Sequence, residues 1–178
     1  MLLADFSDPA EAARWRPTDD VVMGGRSSSA MSAGGEAGVF AGRVSLEQGG
    51  GFASVRRRDQ PVDLSACDAI ELTVRGDGKR YKLNLRTSGD FDGIVYQAAF
   101  ETSPGTWQTA RLDLAAFAPR FRGRPAPGAL DPARVSSLGL LISDGQAGPF
   151  RLELAAIAAT PRPGPTPSAS GGPPRPPS

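Results

Sequence analysis

Histidine is absent from this chain of 178 residues. That removes the commonest general base, the serine and cysteine triads built on histidine, and most zinc sites. Cysteine occurs once, as Cys67, so neither an internal disulfide nor a cysteine-based metal cluster can form. No apolar run reaches the roughly 18 residues that a membrane-spanning helix needs. The opening Met1-Leu2-Leu3-Ala4-Asp5-Phe6 lacks the basic start and apolar stretch of a secretory signal, so the expected location is the cytoplasm. Charge of one sign is also scarce: Lys and Arg total 20 against 19 Asp and Glu. Two of those arginines, Arg162 and Arg175, lie in a Pro-rich tail, and the rest of the chain is slightly acidic. Nucleic acid is therefore not the expected partner, because phosphate neutralisation needs a clear basic excess. Local basic patches remain at Arg56-Arg57-Arg58 and from Arg120 to Arg124.

What the sequence does contain is short apolar runs punctuated by Gly, Pro, Asp and Ser, the pattern of an all-β protein. Strands are predicted at Leu2–Phe6, Met23–Ser29, Ala37–Val44, Ala53–Arg57, Ala69–Arg75, Tyr81–Thr87, Ile94–Phe100, Trp107–Asp113, Val135–Leu141 and Phe150–Ala158. Short helical pieces fit Pro9–Arg14 and Leu114–Ala118, and Pro119 to Pro132 reads as a long Pro- and Arg-rich loop. Short strands at regular spacing predict a two-sheet sandwich or jelly roll over residues 1–160. Residues 161–178 hold no large apolar side chain, so a disordered tail is expected there.

The segment Arg75 to Thr87 carries the clearest local signal. Asp77-Gly78 reads as a tight hairpin turn, followed by a strictly alternating strand. Lys82, Asn84 and Arg86 share one face, with Tyr81, Leu83, Leu85 and Thr87 on the other. Alternation also points Leu138, Leu140, Ile142, Leu152, Leu154 and Ala156 inward. The strand from Ile94 to Phe100 is apolar on both faces, which predicts a central strand with Gln97 as its polar exception.

Catalytic and cofactor motifs are weak. Gly24-Gly25 lacks the following Lys and Ser/Thr of a phosphate loop, so no cofactor is expected. Asp19 and Asp20 are adjacent; they read as turn-stabilising residues or, less specifically, as calcium-binding loop oxygens. A hydrolase built on Asp19, Asp20 and Glu101 finds no recognisable spacing. Ser27-Ser28-Ser29 has no base near it. Gly49-Gly50-Gly51 opens a strand through a sharp turn or bulge. Arg56 and Arg86, on strands expected to be neighbours, form a candidate clamp for a carboxylate or phosphate. Trp107 is expected in the core, and Trp15 is the better candidate for an interface or sugar-stacking aromatic.

Several segments, in order, resemble the complex I intermediate-associated protein 30 family. They are Trp15 with Asp20-Val21-Val22-Met23-Gly24-Gly25-Arg26-Ser27, Phe40-Ala41-Gly42-Arg43-Val44-Ser45 and Gly50-Gly51-Phe52-Ala53-Ser54-Val55-Arg56. Next come Arg75 to Leu83, Tyr96-Gln97-Ala98-Ala99-Phe100 and Trp107. Phe121-Arg122-Gly123-Arg124 and Gly148-Pro149-Phe150-Arg151-Leu152-Glu153 complete the set. The resemblance covers about Trp15 to Ile157 and implies a galactose-binding-like jelly roll, similar to carbohydrate-binding modules. It further implies an assembly factor without established catalytic residues, whose partners are protein subunits of a membrane-associated respiratory complex. The Ala, Arg, Gly and Pro bias fits a bacterial member. The expected partner-binding residues are Asp20, Arg56, Lys82, Asn84, Arg86, Gln97, Arg122 and Arg124. A carbohydrate-binding module of the same fold is the alternative, with Trp15, Tyr81 or Tyr96 as stacking residues.

Overall fold

A computed structural model describes residues 1–18, 27–47, 51–57, 61–88 and 93–164. Among them the chain forms β1 (Leu2–Asp5), a short helix α1 (Pro9–Ala12), β2 (Trp15–Pro17), β3 (Ser28–Ala33), β4 (Gly38–Val44) and β5 (Ala53–Arg57). Then follow β6 (Cys67–Arg75), β7 (Arg80–Arg86), β8 (Val95–Glu101), β9 (Trp107–Asp113), β10 (Ala118–Phe121), β11 (Arg124–Pro125), β12 (Ser137–Ile142) and β13 (Gly148–Pro161). These pack as two sheets. One runs β3-β4-β13-β6-β9, with β1 also on β13; the other runs β11-β10-β8-β7-β12-β5-β2.

Alternation produces this arrangement directly. In β7, Tyr81, Leu83 and Leu85 are fully buried while Lys82, Asn84 and Arg86 are only half-buried on the other face. In β6, Leu72 and Val74 face the core, with Glu71, Thr73 and Arg75 outward. The inner faces meet in an aromatic cluster: Phe40 lies 5.0 Å from Phe150 and Tyr81 stacks 6.1 Å from Phe100, ring centre to ring centre. Such pairs add to the area they remove from water.

The alternation expected for the last strand fails partway. A bulge in β13 between Leu154 and Ala156 shifts the pairing with β6. An extra residue reverses the faces beyond it. Leu152 and Leu154 point inward as expected, but Ala156 does not, and Ile157 and Ala159 take the core positions instead.

The turn at Asp77-Gly78 is not a hairpin. β6 lies in the six-stranded sheet and β7 in the seven-stranded one, so the chain crosses between sheets here. Gly78 has φ +90°, whereas Asp77 is not in the left-handed region, which rules out the type I′ turn with its two positive φ values. Asp77 instead staples the sheets together. Its Oδ1 accepts from the Tyr81 hydroxyl at 2.9 Å and from Lys79 N at 3.2 Å, and its Oδ2 accepts from Arg151 N on β13 at 2.9 Å. Burial, and the charge and hydrogen bond of Asp77, push the Tyr81 phenol well above its ordinary range.

Other expectations are corrected in detail. The segment Pro119 to Pro132 is not a bare loop: it carries the rest of β10, all of β11 and the start of a 3₁₀ turn at Pro132–Arg134. The expected helix at Leu114–Ala118 is a 3₁₀ turn, Leu114–Ala116, and the one at Pro9–Arg14 is helical over Pro9–Ala12. Asp8 caps the latter by accepting from Ala10 N at 2.9 Å.

Trp15 and Trp107 exchange their expected places. Trp15 is 2% exposed, and its indole Nε1 donates to Glu11 at 3.1 Å. Trp107 is 42% exposed at the sheet edge, with the Arg75 guanidinium 5.1 Å from its ring centre. The expected strand Met23–Ser29 begins at Ser28 among the described residues; Asp19, Asp20, Gly24, Gly25, Gly49, Gly50, Arg58 and the tail beyond residue 164 lie outside them. No helix among the described residues is long and apolar enough to cross a membrane.

Candidate functional site

The outer face of the seven-stranded sheet carries a set of polar side chains aligned by strand register. Arg56 on β5 sits opposite Gly139 on β12, Gly139 opposite Asn84 on β7, and Asn84 opposite Gln97 on β8. Directly opposed residues point to the same side of a sheet, so Arg56, Asn84 and Gln97 form one cross-strand row with a gap at the glycine. Flanking it, Lys82 pairs with Leu141 and Ala99, and Arg86 pairs with Ser137. Arg120 reaches this face from β10, opposite Val95.

Arg56 and Arg86 are therefore not on adjacent strands, as expected, because β12 lies between them. They remain on one face because Arg56 is in register with Asn84 through Gly139, and Arg86 follows Asn84 by two residues. Arg56 is 8% exposed and donates from Nε to the Ser137 hydroxyl at 3.2 Å, against the residue that pairs with Arg86. Arg86 donates to Gly93 O at 3.5 Å.

These residues line a groove of about 1020 Å³. Arg56, Arg80, Lys82, Arg86, Arg111, Arg120 and Arg122 border it, against the carboxylates of Asp113 and Asp144. Internal pairing accounts for part of that charge. Lys82 bridges Asp144 at 2.9 Å, and Arg111 is held by Asp68, Glu71 and Asp113 at 3.2–3.4 Å. Among the described lining residues, basic side chains outnumber carboxylates.

Of the residues expected from sequence, Arg56, Lys82, Asn84, Arg86, Gln97 and Arg122 all line this groove, and Arg124 does not. Asp20 lies outside the described residues. Arg57, from the same basic run as Arg56, turns the other way and binds Glu11 through Nε at 2.6 Å. Glu101 is exposed at the end of β8 and does not line the groove. Gly139 escaped sequence reasoning, although an interior strand glycine in Leu138-Gly139-Leu140 signals close approach of something to the backbone. Among the described residues, no group of three or more acidic, cysteine or histidine side chains is placed to hold a metal ion.

A two-sheet antiparallel sandwich with a groove across one outer face is a galactose-binding-like jelly roll, the architecture of carbohydrate-binding modules. Solved structures agree. A family 11 carbohydrate-binding module of a cellulosomal cellulase from Clostridium thermocellum superposes with a TM-score of 0.69 at 16% identity, over 91% of this chain and 94% of that one. The family 11 module from that organism in complex with a β-1,3-1,4-mixed-linked tetrasaccharide gives a TM-score of 0.64 at 15% identity, over 83% and 89%. At these identities the likeness is one of fold.

The sequence relationship is more specific. Residues 4–154 match the family described as Complex I intermediate-associated protein 30, and the chain belongs to that family. The mitochondrial Complex I intermediate-associated protein 30 of Drosophila melanogaster is 31% identical over 176 residues, covering 84% of this chain and 59% of that protein. The protein of that name from Mus musculus is 28% identical over 172 residues, covering 84% and 52%. The chain thus spans little more than half the length of these relatives.

Proposed function

We propose that this domain is a non-catalytic protein-binding module that assists assembly of a multi-subunit complex of the respiratory NADH:ubiquinone oxidoreductase type. Family membership supports the assembly role, and the cationic groove is the observation that supports a binding surface on this sheet. A row of arginine, asparagine and glutamine across neighbouring strands suits an extended segment of another subunit. Guanidinium groups recognise carboxylates through paired N–H bonds, and charge at the rim speeds encounter. The absence of histidine weighs against most acid–base and nucleophilic chemistry in the same cleft.

Crosslinking followed by affinity purification from the native cell is the direct test. The wild-type chain is expected to recover subunits of the respiratory complex. The double variant Arg56→Glu, Arg86→Glu is expected to lose them while remaining folded at the assay temperature, with a lower melting temperature because Arg56 is buried against Ser137. Arg86→Gln with Arg120→Gln is the milder counterpart, expected to recover far less. Undiminished recovery by both variants would remove the groove as the partner surface.

Carbohydrate binding is the second reading, favoured by the position of the groove on a fold shared with family 11 modules. Its expected aromatics count against it: Trp15, Tyr81 and Tyr96 are 2%, 0% and 8% exposed, so none offers a ring face to a sugar.

A further inference from the structure

We propose that β9, the free edge of the six-stranded sheet, pairs antiparallel with the β9 of a second copy of this chain. The sheets of the two copies then run on as one across a twofold axis. This surface goes beyond the groove reading and stands whether or not a partner docks there, although Arg111 to Asp113 also border the groove.

The direction of each backbone group along β9 follows from the bonds on its neighbours. In an antiparallel pair, opposed residues exchange both backbone bonds or neither, and the choice alternates along the strand. Arg151 N points towards the end of β6, where Asp77 Oδ2 accepts from it at 2.9 Å. Glu153, two residues on, therefore also faces β6 and exchanges bonds with Arg75. Val74, Leu72 and Ile70 then face β9 and bond Gln108, Ala110 and Leu112. Gly76 O agrees, since it accepts from Gly105 N, just ahead of β9, at 3.1 Å. Trp107, Thr109 and Arg111 are left with their N–H and C=O groups directed off the sheet. Among the described residues nothing pairs with those groups.

The other edges are protected. β11 has two residues and ends at Pro125, β2 has three and ends at Pro17, and β1 is short and irregularly paired. Along β3 pack α1, β2 and β5. By contrast, β9 runs for seven residues without the proline, lysine or bulge that blunts an edge. Its charge pattern selects a second copy as the occupant. On the outer face at the Trp107 end, Arg75 and Arg151 outnumber Glu153. At the far end, Asp68, Glu71 and Asp113 outnumber Arg111. Full overlap centred on Ala110 sets Trp107 opposite the partner's Asp113 and Thr109 opposite the partner's Arg111. The basic end of each copy then meets the acidic end of the other, as a self-complementary twofold contact requires. Ala110, small and buried, meets its own counterpart at the centre.

Sedimentation equilibrium of the full chain, from micromolar to hundreds of micromolar, is the first test. The mass is expected to rise from one chain to two. A single-chain mass throughout overturns the proposal, even if a different subunit is later found on this edge. Thr109→Pro removes an N–H that serves only the pairing, so the variant is expected to fold and to weaken the dimer at least about tenfold. Should it fail to fold, Asp113→Arg takes its place, because it sets like charges against the partner's basic end, and the same loss is expected. A folded variant that dimerises as tightly as the wild type overturns β9 as the contact. Amide hydrogen exchange then reads the bonds singly. The Thr109 and Arg111 amides are expected to exchange freely in dilute solution and at least about tenfold more slowly in the dimer. Gln108, Ala110 and Leu112 should stay protected in both. Dimers in which Thr109 and Arg111 still exchange freely overturn the pairing.

Discussion

Arg56 and Arg57 are neighbours on β5, yet the chain treats them in opposite ways. Arg57 turns inward beside Trp15, where Glu11 accepts from it, from Arg14 at 2.9 Å and from the Trp15 indole. Glu11 is 3% exposed, so this carboxylate satisfies the arginine within the fold. Arg56 points to the opposite face of the sheet, where it borders the groove, is 8% exposed and donates to Ser137. One arginine is tied to the short helix through Glu11, and the other lies on the floor of the groove. Strand alternation separates the two roles by one residue. A basic run in a sequence is therefore not one feature when it lies on a strand.

The largest expected effect comes from breaking the inner half of that pair. Glu11→Ala leaves Arg57, whose side chain is 12% exposed, without its carboxylate, and loss of one partner of a largely buried ion pair costs up to about 3–5 kcal/mol. Denaturant unfolding measures it. Arg56→Ala should cost at least about 1 kcal/mol, the worth of its hydrogen bond to Ser137. Equal losses from the two variants would erase the distinction.

Asn84 sharpens the comparison from the outer side. Asn84 Oδ1 is buried without a hydrogen-bond partner, so Asn84→Val, which removes it and suits a strand, is expected to stabilise the domain by about 1 kcal/mol. It should also weaken partner recovery. A variant that loses stability would show that the amide is part of the structure, not held back for a ligand.

The smallest effect lies on the outer face of the other sheet. There Arg75 and Arg151 both donate to Glu153, the latter at 3.3 Å. The hydrogen bond from Arg75 is the main cause holding the Glu153 carboxyl below its ordinary 4.5, so this contribution is complete above that pH and disappears as pH falls through the lower folded value. Melting temperatures measured below pH 4.5 should fall less for Glu153→Gln than for the wild type. Both side chains of the Arg75–Glu153 pair are partly exposed, which keeps the effect small. Identical acid limbs would discount the ion pair.

The strands that sequence reasoning located best are those with one buried face. In β7 the alternation of Tyr81, Leu83 and Leu85 with Lys82, Asn84 and Arg86 survives unchanged, because a one-residue slip would expose the whole apolar set. That regularity made most of the groove legible. Sheet membership was not legible: Asp77-Gly78 announces that the chain reverses, but not which strand will lie beside it. The β13 bulge was hidden because Leu154 to Ala159 is apolar throughout and fits either register. The two tryptophans were misplaced because a ring's burial depends on its neighbours across the sheet, and the Glu11 carboxylate that accepts the Trp15 N–H lies in a helix rather than a strand.

The long strand β13 has a consequence for how this molecule comes into being. It pairs with β4 over its first half and with β1 and β6 over its second, so it is the keystone of the six-stranded sheet. Met1 N donates to Ala159 O across a sequence separation of 158 residues. A chain emerging from the ribosome has made β1, β4 and β6 long before the strand that joins them. Those edges wait unpaired, open to one another and to foreign strands. The domain thus has an assembly problem of its own, solved only when this late strand arrives.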